Sequence, residues 1–261
     1  MKMKFHKFHM VTPSPWPVTN SIMMFNLMSS ITYLLIYNNN KLTIIMMSMT
    51  MITMMLWWKD VIRESLMQGQ HQQIVMNSLK MGMIMFIMSE MMLFTSFFWA
   101  YFHSSLNPSM EIGMIWPPMS INSFNPINVP LLNTIILISS GISITWSHHM
   151  LMTNNKKESL KSMLITLMLG MTFSMLQIME YMQSNFSMPD SVYGSTFFLS
   201  TGFHGMHVLI GTMFLLTCYM RMNKNSMSSN HMISFEMAAW YWHFVDIVWL
   251  FLYLSIYWWS Y

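Results

Sequence analysis

The feature that most constrains this chain is the length of its uncharged apolar runs. No Asp, Glu, Lys or Arg stands between Lys41 and Lys59, and none occurs from Ser191 to Met220. The hydrocarbon core of a bilayer is about 30 Å thick and takes roughly 20 apolar residues of helix to cross. Over all 261 residues only 8% are charged, and the mean hydropathy is +0.41. A soluble domain carries about 25% charged residues, so lipid is the expected solvent.

The runs predict an all-α, polytopic membrane protein forming a single membrane domain over 1–261, with seven spans. These fall at 16–36, 41–66, 73–105, 129–152, 156–183, 191–223 and 233–256. Pro13, Pro15 and Pro17 stand at the start of the first span as a helix-start signal. WPPMSINSFNPINVP separates the third and fourth, and its Pro and Asn content marks a loop. NNKKES and NKNSMSSN separate the later pairs. No alternating pattern of about ten residues recurs, so strands are not expected.

Seven spans put the two termini on opposite sides. The N-terminal side then collects Lys2, Lys4, Lys7, Lys59, Arg63, Lys80, Lys156, Lys157, Lys161, Arg221 and Lys224, and the other side only Lys41. Basic residues concentrate on the matrix or cytoplasmic side. The N-terminus is therefore expected in the matrix, or in the cytoplasm of a bacterium, with the C-terminus opposite. Those eleven against Asp60, Glu64, Glu158 and Glu236 leave +7; Lys41 against Glu111, Glu180 and Asp190 leaves −2. Glu90 and Asp246, both at membrane depth, close the total of +3. A rim of that charge attracts anionic phospholipid headgroups, and no nucleic-acid partner is expected.

There are 39 Met, but Ala occurs only at positions 100, 238 and 239 and Arg only at 63 and 221. Met and Leu are nearly interchangeable in a hydrophobic segment, so this bias points to an AT-rich organelle genome. The single cysteine, Cys218, leaves no internal disulfide and no cysteine metal site. The basic first ten residues have no long apolar core and no small-residue cleavage site after them, so no cleavable signal peptide is expected.

Chemistry is sparse. Glu90 sits near the middle of the third span, where a carboxylate costs several kcal/mol if ionised and unpaired. It reads either as a proton-relay or lipid-contacting group, or as a carboxyl that ties two helices together. Asp246 lies near the centre of the seventh span, three residues from His243, and the two share a helical face on which they can pair. Glu236, nearer the start of that span, reads as solvated or lipid-facing. His204 and His207 share a face of the sixth span, but the ten histidines lie at different depths. A buried metal site wants three or four converging ligands, so helix bonding and headgroup contact are the expected uses. Thr201, Gly205 and Thr212 form a small-residue stripe against which another helix can pack closely.

WWKDVIRES places Trp57 and Trp58 beside Lys59 and Arg63 at the basic interface, with His71 just after. Arg221, Lys224 and His231 lie at the same level on the connection before the seventh span. Indoles anchor at the headgroup boundary, and guanidinium and ammonium groups bind phosphate. The chain has no Gly-rich phosphate loop and no Ser-His-Asp arrangement on one side of the membrane, so no active site is visible in it alone. A free-standing transporter or proton channel using Glu90 and Asp246 would show broken helices or inverted repeats; neither is found.

Several segments resemble the cytochrome c oxidase subunit III family. They are HMVTPSPWPVT, WWKDVIRES with QGQH, FHSSLNP with WPP, VPLLNTIILISSGISITWSHH, VYGSTFFLSTGFHGMHVLIG and AWYWHFVDIVWLFLYLSIYWW. Together they cover about the whole chain in family order; the 153–157 and 184–190 loops are less alike. The resemblance implies a V-shaped bundle of two plus five helices, 16–66 on one arm and 73–256 on the other, with phospholipids in the cleft. It implies no haem or copper in this chain, since those belong to subunits I and II, which carry electrons from cytochrome c to oxygen. The implied partners are subunit I chiefly, subunit II, small supernumerary subunits and a respiratory supercomplex, in the mitochondrial inner membrane. Phosphatidylglycerol, phosphatidylethanolamine or cardiolipin are the implied lipids. Glu90 stands at the family's intramembrane carboxylate, which reacts with a carbodiimide. Trp58, Arg63, His71, Arg221, Lys224 and His231 stand at positions implied to contact lipid.

Overall fold

The computed structural model describes residues 9, 11–227 and 232–261, and among them no strand occurs. Seven long helices follow one another: α1 (Trp16–Tyr37), α2 (Lys41–Met67), α3 (Gln73–Leu106), α4 (Val129–Met152), α5 (Lys156–Met182), α6 (Val192–Asn223) and α7 (Ile233–Leu252). A short 3₁₀ turn at Met110–Ile112 lies between α3 and α4. The boundaries match those expected from hydropathy to within a residue or two, except at the end. There α7 gives way to a π-helical segment, Tyr253–Trp258.

Helices α2 to α6, and α7 with its π-helical extension, are each long and apolar enough to cross a membrane. Helix α1, at 22 residues, is long enough but richer in polar side chains such as Asn20, Ser21, Asn26 and Thr32. Its hydroxyls return to its own backbone: Ser21 Oγ donates to the Val18 carbonyl at 2.8 Å and Thr32 Oγ1 to that of Ser29 at 2.8 Å. Satisfied locally, they put no bare polar group into lipid.

The chain divides into two compact units, residues 1–79 and 80–261, with the boundary inside α3. In the first unit α1 ends at Asn38, whose left-handed backbone (φ 52°) lets its N–H cap the Leu34 carbonyl. Helices α1 and α2 meet along a polar seam. Only Asn20 and Ser30 of α1 and Thr50 of α2 are buried, and Thr53 Oγ1 donates to Asn20 Oδ1 at 2.9 Å.

The second unit has a true core. Buried positions recur every three or four residues along α5 (Thr166, Gly170, Phe173, Gln177, Glu180) and along α6 (Phe197, Thr201, His204, Val208, Gly211, Leu215). That spacing lays one inward stripe along each helix. Trp242 of α7 is the keystone. Its indole lies where side chains on Gly170 and Gly211 would stand, with ring atoms 2.8 Å and 3.0 Å from those ideal Cβ positions. Its Nε1 donates to Ser140 Oγ of α4 at 2.9 Å, so one side chain engages α4, α5 and α6 together. Hydroxyl pairs join α4 to α5, Ser143 to Thr166 at 2.9 Å and Ser147 to Ser159 at 3.2 Å.

Candidate functional site

In the first unit the last turns of α2 form the basic feature expected from WWKDVIRES. The preceding segment is fastened to the acids of those turns. Trp16 Nε1 donates to Asp60 Oδ2 at 3.2 Å, and His9 Nε2 lies 3.4 Å from Glu64 Oε2. Thr12 Oγ1 reaches the other Glu64 oxygen at 3.5 Å. Both carboxylates near Lys59 and Arg63 are thereby occupied, and among the described residues neither cation forms an ion pair. Lys59, Asp60 and Arg63 line a cavity of about 500 Å³ with Trp16, Leu56, Ile62, Leu66 and Met67. Cations over apolar walls suit an amphiphilic anion: phosphate to the charges, acyl chain to the walls.

The other lipid candidates are distributed differently. Trp57 and Trp58 do not line this cavity; Trp57 is half-buried and Trp58 is exposed. His71 places its ring 5.9 Å from that of His9, edge to face. In the second unit Arg221 is half-buried and donates from Nη1 to Ser234 Oγ at 2.7 Å, joining α6 to the start of α7. Lys224 caps α6 and is exposed. His231 lies outside the described residues.

Glu90 meets His207. The carboxylate Oε2 lies 2.9 Å from Nε2 of the imidazole, linking α3 to α6 within the second unit. The other ring nitrogen, Nδ1, is 2.7 Å from the Phe203 carbonyl. A carbonyl only accepts, so Nδ1 carries a hydrogen. The contact to Glu90 then needs one further proton, either on the imidazole facing a carboxylate or on the carboxyl facing a neutral ring. Both forms are neutral as a pair, which is what burial at membrane depth favours. Phe94 packs its ring 5.0 Å from that of His207, edge to face.

Asp246 lies beside His243, Oδ2 to Nδ1 at 3.9 Å, and its carboxylate is seated against Gly141 of α4. A Cβ on that glycine would stand 2.9 Å from Oδ2. His204 bonds through Nε2 to the Val245 carbonyl at 3.2 Å. Among the described residues no group of three or more His, Cys, Asp or Glu side chains is placed to hold a metal ion. In the small-residue stripe, Thr201 accepts from the Tyr181 hydroxyl at 2.7 Å, and the Thr212 methyl approaches Gly170. Gly205 faces open space.

Two acids differ from their sequence reading. Glu180 is counted by the sequence with the charges of the outer side; it lies in the last turns of α5, is 2% exposed and accepts from Tyr257 Oη at 2.6 Å. Glu236, read as solvated or lipid-facing, forms an ion pair with Lys80 at 2.6 Å, holding the start of α7 to α3. Both partners come from distant stretches of chain, so neither pairing shows in local sequence.

Long apolar helices, with the acids Glu90 and Asp246 in their interior set against protein groups, define a polytopic membrane protein. Residues 6–261 match the family described as cytochrome c oxidase subunit III. Relatives named cytochrome c oxidase subunit 3 include that of Locusta migratoria, 55% identical over 98% of this chain and 97% of its own length. Those of Loxodonta africana and Bos taurus are each 52% identical over 98% of both chains. The chain belongs to the cytochrome c oxidase subunit III family, and is thus a membrane subunit of an oxidase complex.

Proposed function

We propose that this chain is a non-redox core subunit of the proton-pumping terminal oxidase of the mitochondrial inner membrane. It holds phospholipid and subunit I in place so that proton uptake keeps pace with electrons arriving from cytochrome c. The haem and copper that reduce oxygen to water belong to subunits I and II, and subunit III supplies the setting. The reading also includes the small supernumerary subunits as neighbours, the N-terminus in the matrix and the C-terminus in the intermembrane space.

The observation that carries the lipid role is the cavity of the first unit. Its one acid, Asp60, is held by Trp16, and nearby Glu64 by Thr12 and His9, which leaves Lys59 and Arg63 for an external anion. A phosphatidylglycerol, phosphatidylethanolamine or cardiolipin headgroup has the charge for it. The intact complex carrying Lys59→Gln with Arg63→Gln should assemble, keep its haem spectrum and lose phospholipid relative to wild type. Unchanged phospholipid per haem would refute the lipid site.

Glu90 acts in this reading as a helix tie through His207. Glu90→Gln keeps a hydrogen-bonding group at the same place, so assembly and most turnover should survive. Near-complete loss of oxygen reduction in a normally assembled complex would make Glu90 a proton carrier.

A further inference from the structure

The second unit buries a series of polar groups that its own side chains do not satisfy. Among the described residues, no well-aligned protein hydrogen bond reaches either amide atom of Gln177, which has the Tyr181 and Tyr257 hydroxyls beside it, or Oε2 of Glu180, Nε1 of Trp249 or Nδ1 of His204. All four residues are nearly sealed, at 4%, 2%, 0% and 1% exposure. Folded proteins leave few such atoms bare, and those they do leave commonly bond to internal water.

These groups are neighbours. Gln177 and Glu180 lie three apart on the inward stripe of α5, so they stand one above the other. Glu180 is bonded to Tyr257, whose ring is 5.8 Å from that of Trp249. The Trp249 ring is in turn 5.2 Å from the imidazole of His204, and Phe173, one turn before Gln177, packs against both. The line runs from near the end of α5 to the middle of α6.

Donors and acceptors alternate along it. His204 Nε2 is bonded to the Val245 carbonyl, which only accepts, so that nitrogen carries the hydrogen and Nδ1 is an acceptor. Trp249 Nε1 is a donor, Gln177 offers one of each, and Glu180 Oε2 accepts. Water, with two donors and two acceptors, is the small molecule that matches this order and bonds two to four such partners.

We propose that a chain of ordered water molecules lies inside the second unit, running from Glu180 past Gln177 and Trp249 to His204. The ligand class is water itself. The chain carries hydration from the end of α5 to membrane depth without a side chain having to rotate. It is independent of the lipid cavity and of the Glu90–His207 tie, which involve none of its groups.

The test is a structure of the intact, purified complex at a resolution that shows ordered water. Separate peaks at hydrogen-bonding distance from the Gln177 amide, Glu180 Oε2, Trp249 Nε1 and His204 Nδ1 are expected. Direct side-chain pairing among these groups, or continuous packing with no peak between them, would overturn the proposal. Gln177→Leu in the same complex gives a second reading. If water is present, the peaks next to Glu180 vanish and the subunit's melting temperature falls by roughly 2 °C or more. If the site is dry, the apolar isostere removes two bare polar atoms, and the melting temperature stays level or rises.

Discussion

The two units hold their helices together by opposite means. In residues 1–79, α1 and α2 bury only Asn20, Ser30 and Thr50, and a few polar bonds cross the seam: Thr53 to Asn20, Thr43 to the Ser30 carbonyl and Trp16 to Asp60. In residues 80–261, Trp242, Trp249, Phe173 and Phe197 are all 0% exposed within one core. Lipid is as apolar as leucine, so helices gain little from burying apolar surface and associate through close packing and hydrogen bonds. A tryptophan seated on two glycines and bonded to a serine supplies both. A short polar seam supplies little, and apolar side chains such as Phe25 (73% exposed) and Leu35 (78%) face outward. The second unit is held by close packing, whereas the first is held by a few polar bonds.

The largest expected effect that tests this contrast is Trp242→Ala. It empties the space between Gly170 and Gly211 and removes the donor to Ser140 Oγ, so a loss of about 3–5 kcal/mol is expected. Thermal release of the subunit from the purified complex would measure it. Thr53→Val in the first unit keeps the shape and removes one interhelical bond, which is worth about 0.6 kcal/mol in a membrane bundle. If Thr53→Val proved as damaging as Trp242→Ala, the contrast would fail.

The smallest effect sharpens it at the loop joining α5 to α6. There the Ser187 N–H bonds Asp190 Oδ2 at 2.7 Å and, with the Ser187 hydroxyl, holds the Asp190 carboxyl below its ordinary range. A lowered pKa stabilises the folded loop above the unfolded value of about 3.9, and that contribution is lost as pH falls through the lowered value. Asp190→Asn should therefore speed hydrogen exchange at the Ser187 amide at neutral pH and leave the Trp242 core unchanged. Matching acceleration in the core would mean the loop and the bundle open as one.

The helices were legible because length, hydropathy and Pro- or Asn-rich breaks act locally. Pro130 at the start of α4 and Asn155 at the start of α5, whose side chain accepts from the Glu158 N–H, are such signals. Lys59 and Arg63 were legible as a basic rim because charge at the end of an apolar run has few other places to go. Their availability was not, since it depends on Trp16 reaching Asp60 across 44 residues. The Glu90 partner lies 117 residues away, and nothing around Glu90 names it. The burial of Glu180, counted only as an outer-side charge, is hidden for a related reason: it depends on the last turns of another helix covering it, and those turns leave the α pattern.

The π-helical segment Tyr253–Trp258 also absorbs one residue near the end of the chain. Its wider i→i+5 turn carries six residues through about the rotation that roughly five make in an α-helix. Tyr257 reaches Glu180 and Ser260 faces the Tyr193 hydroxyl at 3.3 Å, on either side of the segment's close. Removing one residue from Tyr253–Ile256 would let ordinary α-helix run on and leave both hydroxyls facing nearly as before. The segment thus acts as slack: the chain can lose one residue there and keep its closing contacts, whereas a second loss would swing them both by about 100°.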